Sequence, residues 1–228
     1  LLPLPPKDLS LTRKSNGDVL LSFGTSYYNQ GNGPLELRAD HETAGIRKDI
    51  ERNVFQRIYD TQGNFRDKLV GVFLWHQSHL HYHFADFIIY DLEAVNIPGE
   101  HDLSGVRSKS TFCVRDTSKI ALTLQNVPEK AGYLICGKEK QGISVGWADT
   151  YFYNYPDQNL NLGNLPSGIY KLSFIVNPEN WFEEVSVDNN KSSVIIELNM
   201  KKLTVKVLEE APKNSPKIEH IYYEQVFK

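Results

Sequence analysis

The chain contains the stretch Leu69-Val-Gly-Val-Phe-Leu-Trp75-His-Gln-Ser-His79-Leu-His81-Tyr-His83. Its first half is rich in β-branched and aromatic residues, which favours a β-strand, and a similar run, Phe87-Ile-Ile-Tyr90, follows it. Side chains of a strand alternate between its two faces. We therefore expect a strand over residues 79–91 that projects His79, His81 and His83 from one face.

Four of the seven histidines of the chain fall within residues 76–83, and this clustering predicts a metal site. Imidazole nitrogen binds copper, zinc, iron and nickel, and three such ligands leave a position open for water, O2 or substrate. His79, His81 and His83 are the predicted ligands. A regular strand would point His76 away from these three. Metal-bound imidazoles usually need a partner that orients the ring, and His76 is the candidate for this role. A hydrogen-bonded histidine cluster without a metal is the alternative.

Runs of strand length recur between turn signals along the whole chain, while sustained helical periodicity is almost absent. This pattern predicts an all-β fold, a β-sandwich with long irregular loops and little helix. Residues 93–109 form a candidate irregular loop. The predicted strands are residues 19–28, 35–38, 53–60, 69–75, 79–91, 110–114, 120–124, 168–176, 192–198, 203–208 and 218–227.

Length and charge narrow the class of protein. A chain of 228 residues is long enough to bury a sizeable core, and we expect one domain over residues 1–228. Lys and Arg total 25 against 28 for Asp and Glu, without the basic run that binds phosphates, so nucleic acid is not an expected partner. No apolar run approaches the roughly 18 residues of a membrane-spanning helix.

The chain has two cysteines, Cys113 and Cys136. Their spacing allows one disulfide, which would stabilise the fold by roughly 3 kcal/mol in the chain-entropy model. Two free buried thiols are the alternative. The chain begins at Leu1-Leu-Pro-Leu-Pro-Pro6 without an initiator methionine, which permits a secretory signal that has been removed.

Five motifs follow one another along the chain. They are Trp75-His-Gln-Ser-His-Leu-His-Tyr-His83 with Tyr90-Asp-Leu92, Lys109-Ser-Thr-Phe-Cys113 with Asp116-Thr117, Gln141-Gly-Ile-Ser144, Asp149-Thr-Tyr151, and Gly168-Ile-Tyr170 to Val176-Asn-Pro178. Together they resemble the catalytic domain of the lysyl oxidase family, in a bacterial- or archaeal-like form with few cysteines. The resemblance covers about residues 16–198 and leaves residues 199–228 as a C-terminal strand extension.

The resemblance implies an oxidoreductase, a copper-dependent amine oxidase of the protein-lysine 6-oxidase type. Its expected cofactors are copper(II), held by His79, His81 and His83, and lysine tyrosylquinone, made by joining Lys109 to Tyr151. Zinc would occupy the site in a recombinant precursor. The expected substrates are O2 and a primary amine or peptidyl lysine, which would become an aldehyde with release of H2O2 and ammonia.

A general base must remove a proton from the substrate carbon, and Asp149 and Asp86 are the candidates because burial would raise the pKa of either carboxyl. The alternative for Asp149 is a turn residue that accepts backbone hydrogen bonds. For Lys109 the alternative is an exposed surface lysine, and for Tyr151 a core aromatic residue. Two other functions stay open: a metal-binding β-sandwich that never forms its quinone, and an extracellular module whose metal is structural.

The chain departs from the animal enzymes of the family, which are rich in disulfides. Ser78 and Trp147 stand where cysteines are expected, and the family counterparts of Cys113 and Cys136 pair with other partners. A bridge between these two would therefore be a re-pairing. The family also implies an oxidising compartment, which favours the bridge, and a secreted or extracytoplasmic location, in the periplasm or at the cell surface.

Overall fold

The computed structural model describes residues 1–40, 51–95, 106–120, 124–216 and 218–221, apart from the side chains of Lys109 and of residues 219–221. Within these ranges the chain forms strands and no helix, which confirms the all-β prediction. No helix in this part of the chain is therefore long and apolar enough to cross a membrane. The predicted strand residues 121–123 and 222–227 and most of the predicted loop 93–109 lie outside the described ranges. The loop prediction is wrong for residues 93–94 and 106–109, which belong to strands.

The strands form two antiparallel sheets. In the first sheet the order is β1-β3-β11-β9-β16, with β2 and β12 also paired to β3; in the second it is β10-β4-β5-β6-β7-β13-β14-β15, with β8 paired to β7. The strands are β1 Leu2–Pro3, β2 Lys7–Arg13, β3 Val19–Tyr28, β4 Leu35–Ala39, β5 Glu51–Tyr59, β6 Phe65–His76, β7 His81–Ala94, β8 Val106–Phe112, β9 Ser118–Ile120, β10 Lys140–Ile143, β11 Trp147–Tyr151, β12 Asn159–Asn161, β13 Gly168–Val176, β14 Lys191–Asn199, β15 Thr204–Ala211 and β16 Ile218–Ile221.

The core lies between the sheets, where large apolar side chains of both meet. Phe23 of β3 packs edge-on against Tyr90 of β7, with ring centroids 4.8 Å apart. Tyr27 of β3 meets Phe87 of β7 in the same way at 5.0 Å. All four rings are 2% exposed or less. Burying rings of this size supplies much of the stability of a sandwich, and it fixes β3 and β7, the two strands that lead to the site.

Several predicted strands match the observed ones, and one boundary near the histidines is wrong. Residues 19–28 and 168–176 are β3 and β13 as predicted. The strand expected from His79 begins only at His81. Residues 77–80 form a turn, in which the amides of His79 and Leu80 both donate to the His76 carbonyl, at 3.1 and 2.9 Å. Leu80 adopts the left-handed region with φ 56°, so the alternation of a regular strand does not reach His79.

Short strands were not predicted from the sequence. These are β1, β2, β10, β11 and β12, and β11 carries both Asp149 and Tyr151. The C-terminal extension completes the sheets: β15 pairs with β14 and β16 pairs with β9.

Candidate active site

The histidines come together on one hairpin. His76 ends β6 and His81 begins β7, and the two are directly opposite in the strand register. The turn between them carries His79, and His83 follows in β7. The rings of His76 and His83 stack with centroids 4.6 Å apart. The expectation that His76 points away is therefore wrong. The turn reverses the chain, so His76 and His81 are paired across the hairpin and their side chains share a face of the sheet.

The ring nitrogens converge as metal ligands do. His83 Nε2 lies 2.7 Å from His81 Nε2 and 3.4 Å from His79 Nδ1. Two nitrogens bound to one tetrahedral ion at about 2.0–2.1 Å are about 3.4 Å apart, so small adjustments would accommodate an ion among the three predicted ligands. His76, His79 and His83 also offer nitrogens within 4.8 Å of one another. A fourth imidazole thus stands beside the predicted trio.

Two of these imidazoles have side chains near their other nitrogen. Thr111 Oγ1 of β8 lies 3.2 Å from His83 Nδ1. Asp157 Oδ2 lies 3.7 Å from His79 Nε2, a buried atom that has no hydrogen-bond partner within the described residues. Metal-bound histidines usually have such outer partners, which fix the ring and its tautomer. The geometry therefore fits a metal ion on the inner nitrogens.

The histidines are also held in the form that binds metal. Burial, and next the neighbouring His81, lowers the pKa of His83 to about 3. Burial, and next the neighbouring His79, lowers the pKa of His81 to about 4. Both rings are therefore neutral near neutral pH, and only a neutral imidazole offers a lone pair to a metal.

Tyr151 lies at the end of β11, opposite Thr25 of β3. Its hydroxyl donates to the Cys113 carbonyl oxygen at 2.9 Å, and its ring meets the edge of Phe112 with centroids 4.1 Å apart. The side chain is only partly buried. Burial, and next the charge of Asp149, raises the pKa of the Tyr151 phenol well above its usual value.

One short segment connects the histidine hairpin to Tyr151. Thr111 lies beside His83, while Phe112 and Cys113 contact Tyr151. Lys109 precedes this segment in β8, where its backbone pairs with Ile89 of β7. The side chain of Lys109, and with it the predicted cross-link, lies outside what the structure describes.

The predicted disulfide is confirmed: Cys113 and Cys136 are bridged, with their Cα atoms 5.3 Å apart. The backbone of the two bridged cysteines contacts both Tyr151 and the histidine hairpin. The Cys113 carbonyl holds Tyr151, and the Cys136 carbonyl accepts a hydrogen bond from the backbone amide of Tyr82, between His81 and His83, at 3.3 Å.

Gln141 braces the same region and was assigned no role from the sequence. It is fully buried. Its Nε2 donates to the carbonyls of Tyr82 at 2.8 Å and Gly137 at 3.1 Å, and its Oε1 accepts from the Val114 amide at 2.9 Å. The signal in the sequence was its motif, Gln141-Gly-Ile-Ser144, but the contacts with Tyr82 and Val114, 59 and 27 positions away, cannot be inferred from a motif.

Asp149 is a buried strand residue and not the turn residue of the alternative interpretation. It is 1% exposed. Its Oδ2 accepts hydrogen bonds from the Tyr27 hydroxyl at 3.0 Å and the Arg115 amide at 3.4 Å. Its Oδ1 is buried and, among the described residues, has no hydrogen-bond partner. Burial raises the pKa of Asp149 to about 7, although the charge of Arg115 opposes this shift.

The other candidate base, Asp86, lies in β7. It occupies an irregular part of β7, where the register with β8 shifts between Phe84 and Ile88, and its φ is 51°. Within the described ranges no hydrogen bond or ion pair joins Asp86 to Tyr151 or Asp149. Ser78 and Trp147 stand at the two positions where the resemblance led us to expect cysteines. Ser78 Oγ lies 3.1 Å from His76 Nδ1, and Trp147 is fully buried.

The fold and the site define a class: a β-sandwich protein with a histidine cluster suited to a metal ion and a tyrosine nearby. Comparison with known proteins narrows the class. The sequence model described as Lysyl oxidase matches residues 56–208, which is more than half of the chain. The chain belongs to the lysyl oxidase family.

Curated relatives agree with this assignment. Lysyl oxidase homolog 2 of Gallus gallus is 32% identical over 150 residues, which cover 65% of this chain and 18% of that protein. Lysyl oxidase homolog 4 of Mus musculus is 32% identical over 120 residues, which cover 51% of this chain and 14% of that protein. The chain therefore spans less than a fifth of the length of these relatives.

Proposed function

We propose that this chain is a single catalytic domain over residues 1–228 that oxidises primary amines with copper(II) and a lysine tyrosylquinone. The observation that carries the proposal is the segment Thr111–Cys113, because it contacts His83 on one side and Tyr151 on the other. A tyrosine that is to be oxidised must lie near the metal that activates O2. The segment Thr111–Cys113 links Tyr151 to the histidine cluster through direct contacts with both. Family membership supports an amine oxidase of this type.

His79, His81 and His83 would hold the copper. Their inner nitrogens converge, and burial keeps His81 and His83 neutral. Copper supplies the chemistry that lets O2 oxidise the Tyr151 ring to a quinone. A similar three-histidine site would take zinc where copper is absent, which would give an inactive recombinant precursor.

Tyr151 and Lys109 would supply the organic cofactor. The hydrogen bond to the Cys113 carbonyl and the edge contact with Phe112 fix the Tyr151 ring in one orientation. The Lys109 amine would join the oxidised ring, and for that it must lose its proton. When formed, this cofactor would supply an electron sink for amine oxidation.

Asp149 would be the general base. One oxygen of its carboxylate is occupied by the Tyr27 hydroxyl and the Arg115 amide, while Oδ1 has no described partner and is free to accept a proton. A base works best when its pKa lies near the working pH, and burial places the pKa of Asp149 at about 7.

The substrate would be a small primary amine or a peptidyl lysine. With one O2 and one water, the amine would give an aldehyde, ammonia and H2O2, and the aldehyde oxygen would come from the water. The two relatives described above are named lysyl oxidase homologs, and a secreted or extracytoplasmic location is the corresponding proposal for this chain. The Cys113–Cys136 bridge supports it, because disulfides persist in oxidising compartments.

Peptide mapping by mass spectrometry tests the cofactor. Metal-free protein is loaded with copper in air and digested, and we expect the Lys109 peptide to be joined to the Tyr151 peptide, together with a chromophore that reacts with phenylhydrazine. Lys109→Arg should abolish both signals, whereas Lys119→Arg, at a lysine of β9, should leave them intact. Full copper binding with separate peptides would instead support the metal-binding β-sandwich without a quinone.

The pH dependence of amine oxidation tests Asp149. Because its folded pKa is raised, the carboxyl is protonated below about pH 7, so kcat/KM for a small amine should fall as the pH drops through that value. Asp149→Asn should lose turnover by at least about 100-fold at every pH, with copper and quinone contents unchanged. A rate that is independent of pH in this window, or an active Asp149→Asn variant, would remove Asp149 from the proposal.

A further inference from the structure

A buried hydrogen bond beneath the site joins Tyr27 to Asp149. Tyr27 lies directly opposite Asp149 in the register of β3 and β11. Its hydroxyl donates to Asp149 Oδ2 at 3.0 Å, and both residues are 1% exposed. No role follows for Tyr27 from the sequence, because the two residues are 122 positions apart.

Asp149 and Tyr151 project from the same face of β11, since they are two residues apart in a strand. Their cross-strand neighbours on β3 are Tyr27 and Thr25. Asp149 is therefore the neighbour of Tyr27 across the two strands and the same-face neighbour of Tyr151 along β11.

We propose that Tyr27 is a positioning residue that engages the Asp149 carboxylate at Oδ2 and so reserves Oδ1 for proton transfer; this inference rests on the proposed function. A carboxyl group can rotate about its last bond. The Tyr27 hydroxyl and, more weakly, the Arg115 amide at 3.4 Å both donate to Oδ2, and these two hydrogen bonds oppose the rotation. The oxygen without a described partner is thereby the one left for proton transfer.

The Tyr27 ring is packed into the core on more than one side. It packs edge-on against Phe87 of β7 at 5.0 Å and against Phe174 of β13 at 6.4 Å. Both partners belong to the opposite sheet, so the core of the sandwich fixes the donor. Burial also raises the pKa of Tyr27 well above its usual value, which keeps its proton available for donation.

Other groups face the carboxylate from the surrounding elements. The charge of Arg115 favours ionised Asp149, whereas the charge of Asp116 disfavours it. The two remaining phenols interact electrostatically with Asp149: Tyr90 of β7 and Tyr151 of β11. All four stay in place in Tyr27→Phe, so a change in that variant reports the lost donor.

The test compares Tyr27→Phe with Tyr28→Phe in copper-loaded, air-oxidised protein. Tyr28 is the next residue of β3, points to the opposite face and packs in a separate small cluster. With n-butylamine as substrate, Tyr27→Phe should lower kcat by about 10- to 100-fold, the cost of a misplaced catalytic group. It should also raise the kinetic isotope effect with the α,α-dideuterated amine, while phenylhydrazine-reactive quinone and bound copper stay as in the wild type.

A second measurement needs no turnover. The 13C resonance of the Asp149 carboxyl, assigned by its absence in Asp149→Asn, is titrated in each variant. Loss of a donor to the charged form should raise the Asp149 midpoint by about one unit in Tyr27→Phe, and Tyr28→Phe should titrate as the wild type.

The outcomes separate the two proposals. Unchanged kcat, isotope effect and carboxyl titration in Tyr27→Phe would overturn the positioning role even if the wild type is an active oxidase. A wild type without quinone or peroxide production would overturn the proposed function. A shifted titration in that same inactive protein would show that Tyr27 controls the carboxyl, and would overturn only its link to amine oxidation.

Discussion

The two halves of the candidate site are built in opposite ways. The metal half comes from one hairpin, residues 76–83, whose tip is solvent-exposed: Leu80 is 68% exposed. The tyrosine half comes from β3, β11 and the segment Thr111–Cys113 at the end of β8, and its central carboxyl, Asp149, is 1% exposed. One half is local and open, and the other is non-local and enclosed. A hairpin tip can adjust to an incoming ion, whereas the enclosed half is fixed by the core.

This difference predicts that the halves can be broken separately. The largest effect should come from Tyr151→Phe, which removes the oxygen needed for the quinone. Amine oxidation and the phenylhydrazine signal should disappear, while copper affinity stays as in the wild type, because no proposed ligand is touched. The unfolding free energy should fall by only about 1 kcal/mol for the lost hydrogen bond to Cys113.

Tyr155→Phe is the matched control for that variant, since its ring lies 6.2 Å from that of Tyr151. It should keep the quinone. Isothermal titration with copper and absorbance after phenylhydrazine give both readouts on the same samples. If Tyr151→Phe still formed the chromophore, the cofactor would have to come from another side chain.

The converse change is His83→Ala, which breaks the metal half. His83 is the buried centre of the cluster and lies within 3.4 Å of nitrogens of both His81 and His79. Losing it should weaken copper binding by more than about 100-fold, since a ligand matters more than the outer partners whose loss costs about 10- to 100-fold. Quinone formation should fail as a consequence.

His76→Ala and His81→Ala sharpen the same experiment. The structure brings both rings to the cluster, but only His81 belongs to the proposed ligand set. His81→Ala should weaken copper binding about as much as His83→Ala, and His76→Ala should weaken it about as little as the loss of an outer partner. The reverse order would exchange the two histidines in the proposal.

The disulfide joins the halves, so its loss should affect both moderately. Replacing Cys113 and Cys136 together by Ser should lower the unfolding free energy by about 3 kcal/mol in the chain-entropy model. Because the two carbonyls hold Tyr151 and the Tyr82 amide, the yield of quinone per bound copper should also fall. Denaturant melts and phenylhydrazine titration measure the two effects, and a normal quinone yield would show that Gln141 suffices as the brace.

The same contrast explains what could be predicted from the sequence. The alternating apolar runs of β3 and β13 and the histidine motif are local patterns, and they gave the fold class and the metal candidates. The turn at residues 77–80 was missed because its backbone bonds to His76 have no strong sequence signal. The strand β11 was missed because it contains Ala148 and Asp149, residue types that are depleted in strands, although its Asp149 and Tyr151 were identified through the family motif.

Tyr27 and Gln141 illustrate the remaining limit. Their contacts with Asp149 and Tyr82 span 122 and 59 positions. Such pairs form only when the strands have assembled into sheets, and local periodicity does not predict the order of strands in a sheet. In the enclosed half of the site, the family resemblance therefore identified Asp149 and Tyr151, whereas the contacts of Tyr27 and Gln141 required the structure.

The smallest predicted effect lies at the boundary between the halves, at Thr111. Its Oγ1 lies 3.2 Å from His83 Nδ1, and Thr111→Val removes this partner while keeping the branched shape. Copper affinity should fall by about 10- to 100-fold, with Tyr151 still oxidised at saturating copper. Ser110→Ala, at the neighbouring residue of β8, should bind copper as the wild type. Equal affinities in the two variants would mean that the Thr111 hydroxyl does not orient His83 for metal binding.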